Sequence, residues 1–237
     1  MPFTFSHPAA VLPFRKFPAL SFAGLVIGSI TPDFEYFIRM KSKYSHTFDG
    51  MFWFDLPLAV LIAFLFFNIA RNDLIDNLPV FIKSRLVPLR ELNWNKYFAE
   101  NWAKVLISML LGIMTHVAWD SFTHRTGWFV QHTAFLGGAV EFFGFKIPVY
   151  RVLQHASTVI GGLAILIFIY TRPVQAVHKQ IRLSYWVCII AITFVFTMIG
   201  FHQAKYLDMW NVVVMLMASG LTAVMATPFV MFVLGRA

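Results

Sequence analysis

The sequence predicts an all-α fold, a polytopic membrane helical bundle with about five transmembrane helices. Composition comes first: 59% of the 237 residues are hydrophobic and 13% charged, against roughly 45–50% and about 25% in soluble domains. The charged residues also fall in clusters separated by long uncharged runs, as in a chain that alternates between lipid and water. Finally, several of those runs approach or exceed the roughly 20 apolar residues that a spanning helix needs.

The runs are 51–70, 104–122, 155–171, 184–201 and 209–234. Pro228, near the end of the last, marks a kink or a boundary there. Segment 20–30 is apolar but too short to cross the hydrocarbon, and it contains Gly24 and Gly28, so it reads as a buried or interfacial helix. The connection 72–101 has mixed charge and carries Pro79 and Pro88, which suits an amphipathic stretch along the membrane surface. The first 17 residues lack a signal-peptide layout, because Arg15 and Lys16 follow the first apolar stretch and no small-residue cleavage site closes it. They are expected to stay on the mature protein. No internal repeat or low-complexity tract breaks the chain, which reads as one integral membrane domain, 1–237.

Nineteen Lys and Arg against 11 Asp and Glu give a net charge of +8. In a bundle of this kind the basic loops anchor spans against anionic lipid, so the expected partner is the lipid bilayer and not nucleic acid. Arg71, Lys83, Arg85, Arg90 and Lys96 lie between the first and second spans, and Arg172, Lys179 and Arg182 between the third and fourth. Both connections, with Arg236, therefore belong on one side, the cytoplasmic one. The amino-terminal region, loop 123–154 and the loop around Lys205 fall on the other, although Arg39, Lys41 and Lys43 run against that orientation. Trp53, Trp94, Trp102, Trp119, Trp128 and Trp210 lie near the expected interfaces, as an aromatic belt does. The single cysteine, Cys188, sits in an apolar run and offers neither a disulfide nor a cysteine-based metal site.

The strongest chemical signal is THVAWDSFTH, which holds His116, Asp120 and His124. Four-residue steps on a helix drift by only about 40°, so the three side chains form one stripe. Imidazole nitrogen and carboxylate oxygen are ligands for zinc and its neighbours. Asp120 lies near the outer end of an apolar span, where an unpaired carboxylate costs several kcal/mol. Something cationic belongs beside it: a divalent metal ion or, in a plain helix clamp, Arg125 or a neighbouring histidine. His7 in FSHPA, Asp33 in TPDFE and His46 in YSHTF fall on the same membrane side, as does His155 at the start of the next span. This makes 1–50 a site-forming segment and 51–237 the bundle that receives it. Asp33 and Glu35 form an acidic pair suited to ligand and general base, with Glu35 equally readable as a solvated neighbour. His132 can join the site from its loop, whereas His178 and His202 fall away from it.

The strings MPFTFSHPAAVLP, GSITPDFEYF, SHTFDGMFWFDLPL, GIMTHVAWDSFTHRTGWF and LQHAS resemble the bacterial membrane family catalogued as domain of unknown function 4184. That resemblance implies a multi-pass protein of the bacterial inner membrane. The order His, Asp, His, then His-x-x-x-Asp, then further histidines is similar to zinc-dependent phospholipase C and to membrane-bound metal-dependent hydrolases, which are α-helical and bind clustered zinc. His7, Asp33, His46, His116 and Asp120 match that order, with His124 and His155 as later ligands. His155 is followed four residues on by Val159, where the zinc phospholipases have a glutamate, so the resemblance implies a reduced site of one or two divalent ions, zinc first among the candidates. It further implies hydrolysis of a phosphoester or phospholipid, with Asp33 accepting a proton; the distribution of Lys and Arg puts the site on the non-cytoplasmic face. The residues leave two alternatives open: a non-catalytic protein whose cluster binds metal structurally or locks helices, and, ranked below it, transport along intramembrane charges.

Overall fold

In lipid every backbone N–H and C=O must be satisfied within the protein, which leaves helices as the means by which apolar runs of this length cross. The computed structural model describes residues 3–40, 42–142, 144–203 and 209–235, the side chains of Gln203 and Trp210 excepted. Lys41, Lys205 and Arg236, whose charges bear on the expected orientation, lie outside the described residues. Among those described, five helices are long and apolar enough to cross a membrane: Phe48–Asn77, Trp94–His132, Val149–Tyr170, Leu183–His202 and Asn211–Val233. Each contains most or all of one predicted run. The all-α polytopic reading holds, and the first two spans extend beyond the sequence-based bounds.

The elements follow in chain order. A 3-10 helix, Thr4–Lys16, precedes α1 (Phe22–Ile30) and α2 (Asp33–Arg39). The first long helix joins α3 (Phe48–Gly50), α4 (Leu56–Leu65) and α5 (Arg71–Asn77) through π-helical turns at Met51–Asp55 and Phe66–Ala70. After α6 (Val80–Leu86) comes α7 (Trp94–Thr123), which breaks helical geometry at Asn101, φ −131°. Two short helices, α8 (Trp128–His132) and α9 (Ala134–Gly137), lead to a hairpin of β1 (Ala139–Phe142) and β2 (Phe145–Pro148). The chain ends in α10 (Val149–Tyr170), α11 (Leu183–Gln203) and α12 (Met209–Val233). The last of these runs past Pro228, so no boundary falls there. A proline forfeits one helical hydrogen bond, which a helix in apolar surroundings tolerates.

Two compact units divide the chain. The first comprises Met1–Asp33, Lys43–Val60 and Asn101–Phe168. Its 3-10 helix contains Pro8 and Pro13, which supply no N–H. It packs on α1 and is tied to α10 by the Phe3 N–H donating to Thr158 Oγ1 at 3.1 Å and the Ser6 hydroxyl donating to Thr158 O at 3.0 Å. Ser21 caps α1 by accepting the Gly24 N–H, and its own N–H donates to Ser108 Oγ at 2.7 Å. Segment 20–30 is thus a buried helix, the first of the two expected alternatives. Gly24 and Gly28 bring α1 backbone to backbone against α7: a Cβ at Gly28 would lie 2.0 Å from Met109 O. Small residues four apart are how apolar helices approach this closely. The hairpin pairs Val140 with Ile147 inside loop 123–154, where the sequence predicts no strand; its first strand is exposed along its length.

The second unit comprises Phe34–Ser42, Leu61–Glu100 and Ile169–Ala237. Here α11 packs along α12. Connection 72–101 is folded, and buried cations bond its carbonyls: Arg71, just before it, donates to Leu92 O at 2.6 Å and Lys83 to Asp76 O at 2.7 Å. Arg182 pairs with Asp73 at 2.8 Å and Arg85 donates to Tyr170 O at 3.0 Å. The two basic connections therefore lie together, as the distribution of Lys and Arg predicts.

Candidate metal centre

His116 and Asp120 sit on α7, His124 follows directly after its end, and the i, i+4 contacts form. His116 Nε2 stands 3.4 Å from Asp120 Oδ2, and His124 Nδ1 stands 3.4 Å from Asp120 Oδ1. All the other contributors belong to the same unit and reach the stripe from three separate stretches of chain. His7 comes from the 3-10 helix, Asp33 from the start of α2, and His46 from the loop before α3. His46 adopts φ +66°, a left-handed conformation uncommon outside glycine and costly to hold. The turn that fixes it is closed by the Thr47 hydroxyl, which donates to Tyr44 O and accepts the Gly50 N–H.

Distances decide what the cluster is suited to. His116 Nε2 lies 3.5 Å from Asp33 Oδ1; His46 Nε2 lies 3.2 Å from Asp120 Oδ2 and 3.9 Å from Asp33 Oδ1. One ligand atom from each of Asp33, His46, His116 and Asp120 lies within 4.8 Å of every other. Four ligands at about 2.0–2.2 Å around a tetrahedral ion are separated by roughly 3.3–3.6 Å. Charge-assisted hydrogen bonds from imidazole to carboxylate are shorter, about 2.7–2.9 Å. The spacings here suit ligands that could share a cation, and the shortest, 3.2 Å between His46 and Asp120, is also within hydrogen-bond reach. Among the described residues, five buried atoms at the cluster lack a hydrogen-bond partner: His7 Nε2, Asp33 Oδ1, His116 Nε2, Asp120 Oδ1 and His124 Nε2. Buried polar atoms are rarely left so; of these, Asp33 Oδ1 and His116 Nε2 face each other within the group that could hold a cation. The two carboxylates match the charge of a divalent ion when the imidazoles are neutral.

A supporting layer orients these groups, and sequence reasoning missed it. His116 Nδ1 donates to the Ser29 carbonyl at 2.7 Å. The Thr4 hydroxyl donates to Asp33 Oδ2 at 2.5 Å, and Ser45 Oγ lies 3.2 Å from His46 Nδ1. No motif announces these partners, because each depends on which backbone or hydroxyl the fold brings alongside. The one signal is position: Thr4 and Ser45 lie within three residues of a predicted ligand.

Burial sets the electrostatics. Asp33 and His116 are fully buried, and His7 and Asp120 are each 5% exposed. Burial first, and His116 next, push His7 down to about 3, so its ring is neutral at physiological pH, as a ligand must be. Burial alone would raise Asp33, but the charge and hydrogen bonding of His116 outweigh it and hold the carboxyl below its ordinary range. His7 also stacks on His116, ring centroids 3.7 Å apart, with Nε2 at 3.6 Å from Asp120 Oδ1. Asp120 thus offers one oxygen to His46 and His116 and the other to His7 and His124.

The remaining predicted residues fall elsewhere. His155 is exposed on α10 and is not among the converging ligands. His132 is engaged on its own helix, Nδ1 bonded to Trp128 O at 2.7 Å and the ring stacked on Trp128. His178 and His202 are exposed. Glu35, in the second unit, is buried and paired with Arg39 at 3.2 Å, so it is no solvated neighbour. The ion-pair partners of Asp120 are His7, His46, His116 and His124; Arg125 is not among them.

A family model described as Domain of unknown function (DUF4184) matches residues 1–233. The chain belongs to this family. Membership spans both units and every residue of the DUF4184 chain's cluster, as the strings in its sequence predict. No curated protein and no solved structure matches the chain. The DUF4184 description assigns no activity, so function is argued from the site.

Proposed function

We propose that the chain is a membrane-embedded, metal-dependent hydrolase acting on phosphoesters, with a zinc-type ion held by Asp33, His46, His116 and Asp120. The observation that supports it is the meeting of four ligand atoms, from distant stretches of chain, within 4.8 Å of one another. His7, facing the other oxygen of Asp120, is the residue that would extend the site toward a second ion. A divalent ion there supplies Lewis acidity toward a substrate oxygen and acidifies water.

The protein's own groups then divide the work. Of the two roles expected for Asp33, ligand is the better supported: Thr4 occupies Oδ2, which leaves Oδ1 facing His116 Nε2 at 3.5 Å. His124 suits the proton-accepting role. Its Nδ1 bonds Asp120 O at 3.1 Å, which leaves its buried Nε2 as the acceptor. Phospholipid headgroups on the non-cytoplasmic face of a bacterial inner membrane are the substrate class such a site would meet.

Full burial of Asp33 and His116 favours a second reading, a closed structural site that locks the amino-terminal segment to α7. Elemental analysis and phosphodiester turnover of the detergent-purified protein, wild type beside Asp120→Ala and His116→Ala, separate the two. The hydrolase reading expects zinc and turnover to vanish together. Bound zinc whose removal lowers Tm without any assayable reaction supports the structural site, and turnover retained in a folded double variant rejects hydrolysis at this cluster.

A further inference from the structure

A cavity of about 330 Å³ opens beside the cluster, lined by Ser6, His7 and Ala10 of the 3-10 helix, Trp119 of α7, and Ala156 and Ile160 of α10. We infer that this cavity seats one acyl chain of a bilayer lipid, with the lipid's polar end directed toward the His/Asp cluster.

The walls argue for an apolar occupant. Apart from His7 and the Trp119 indole, the lining side chains are apolar or committed: Ser6 donates to Thr158 O and Ser157 to Leu153 O. Away from those two, an occupant with polar atoms would leave them unsatisfied along that wall. The volume lies at the low end of the roughly 300–1,000 Å³ of ligand pockets, and a helix of a second copy, about 10–12 Å across, is too thick for it. Gly161 also borders the cavity; a Cβ there would lie 2.8 Å from Ser6 O, so the 3-10 helix approaches α10 closely beside it.

Access points to lipid as the source. Helix α10 is a candidate membrane span, and Val159, Ile160 and Leu163 are each more than half exposed on it. A chain from the bilayer reaches the cavity along that face without crossing water. His7 belongs to both places: it lines the cavity, and its Nε2 lies 3.6 Å from Asp120 Oδ1. A lipid whose chain fills the cavity therefore has its head beside the cluster. The inference rests on the hydrolase reading only for what then happens to the head.

The test is photolabelling of the full chain in dioleoylphosphatidylcholine vesicles that carry a trace of the same lipid with a diazirine in one acyl chain. Label is expected at Trp119 and in segment 153–161. Ala156→Phe and, from the opposite wall, Ala10→Phe should each lower it about tenfold, because the added ring displaces roughly two buried methylenes of the acyl chain. Using both variants guards against one that fails to fold, with monodispersity on size exclusion as the check. Label spread evenly over the exposed face of α10, label unchanged in both filled variants, or a crosslink to a second copy of the chain overturns the inference. Zinc is measured on the same samples. Label without zinc leaves the chain site standing while the hydrolase reading falls, and zinc without label does the reverse.

Discussion

His116 Nδ1 lies 2.7 Å from the carbonyl oxygen of Ser29, so the ring gives its proton to backbone and presents Nε2 to Asp33 and Asp120. Such an outer partner fixes tautomer and ring orientation together. Because a carbonyl does this, the Ser29 side chain is dispensable; its hydroxyl donates to Val26 O at 2.8 Å. Ser29→Ala is therefore expected to keep zinc affinity within a few-fold. His116→Ala should lose more than the roughly 10–100-fold typical of an outer-partner loss. Chelator-competition titration measures both, and equal affinities would remove His116 from the ligand set.

Gly28 governs whether that carbonyl arrives. An added Cβ would meet Met109 O at 2.0 Å and Met109 Cα at 2.8 Å, all backbone, so α1 must shift as a body. Overpacking of this kind costs about 1–3 kcal/mol. Gly28→Ala is expected to lower Tm and to weaken zinc binding with it, since the displaced helix carries Ser29. Gly162→Ala is the contrast: its nearest neighbour is Ser6 Oγ at 4.0 Å, and Tm should hold or rise slightly. Equal effects from the two would mean that the α1 and α7 backbones do not need this close approach.

What the sequence discloses and what it hides divide along range. Long apolar runs announce spanning helices because lipid leaves the backbone few other solutions, so all five are legible. The His116, Asp120 and His124 stripe is legible because helical periodicity is a local rule. His7, Asp33 and His46 are legible only as residues of a suitable kind on one membrane side. Their meeting depends on a buried α1 returning the chain to α7. His155 shares their expected side and is exposed on α10, which shows that sidedness places a residue at a layer and not at a point. The hairpin at 139–148 escapes because four-residue strands have too little alternation to read.

Thr4 is the least conspicuous residue with a definite job. Its hydroxyl holds Asp33 Oδ2 at 2.5 Å in a fully buried setting, leaving Oδ1 to face His116. Thr4→Val preserves the shape and removes the donor, exposing a buried carboxylate oxygen to a loss of about 1–3 kcal/mol or more. Zinc affinity should fall roughly 10–100-fold, while Thr4→Ser should restore most of it. A Thr4→Val protein with unchanged affinity would show that Asp33 needs no such support.

The pH dependence of stability tests His7 by comparison with a variant that does not titrate there. Its ordinary value is 6.5 and its folded value is about 3, lowered chiefly by burial and secondly by His116. Between those values the unfolded chain binds a proton that the folded protein does not, so stability rises with pH across the window. The contribution is complete above 6.5 and is lost progressively as pH falls toward 3. Asp33, also lowered, adds to the loss below its ordinary 3.8. Chelator-treated protein should therefore show a falling Tm as pH is lowered from about 7 to about 4. His7→Gln, which does not titrate, should flatten that profile, and a slope identical to wild type would mean that His7 is not buried as a neutral ring. Zinc should raise Tm most at the upper end of the range, because ion and protons compete for the same nitrogens and oxygens.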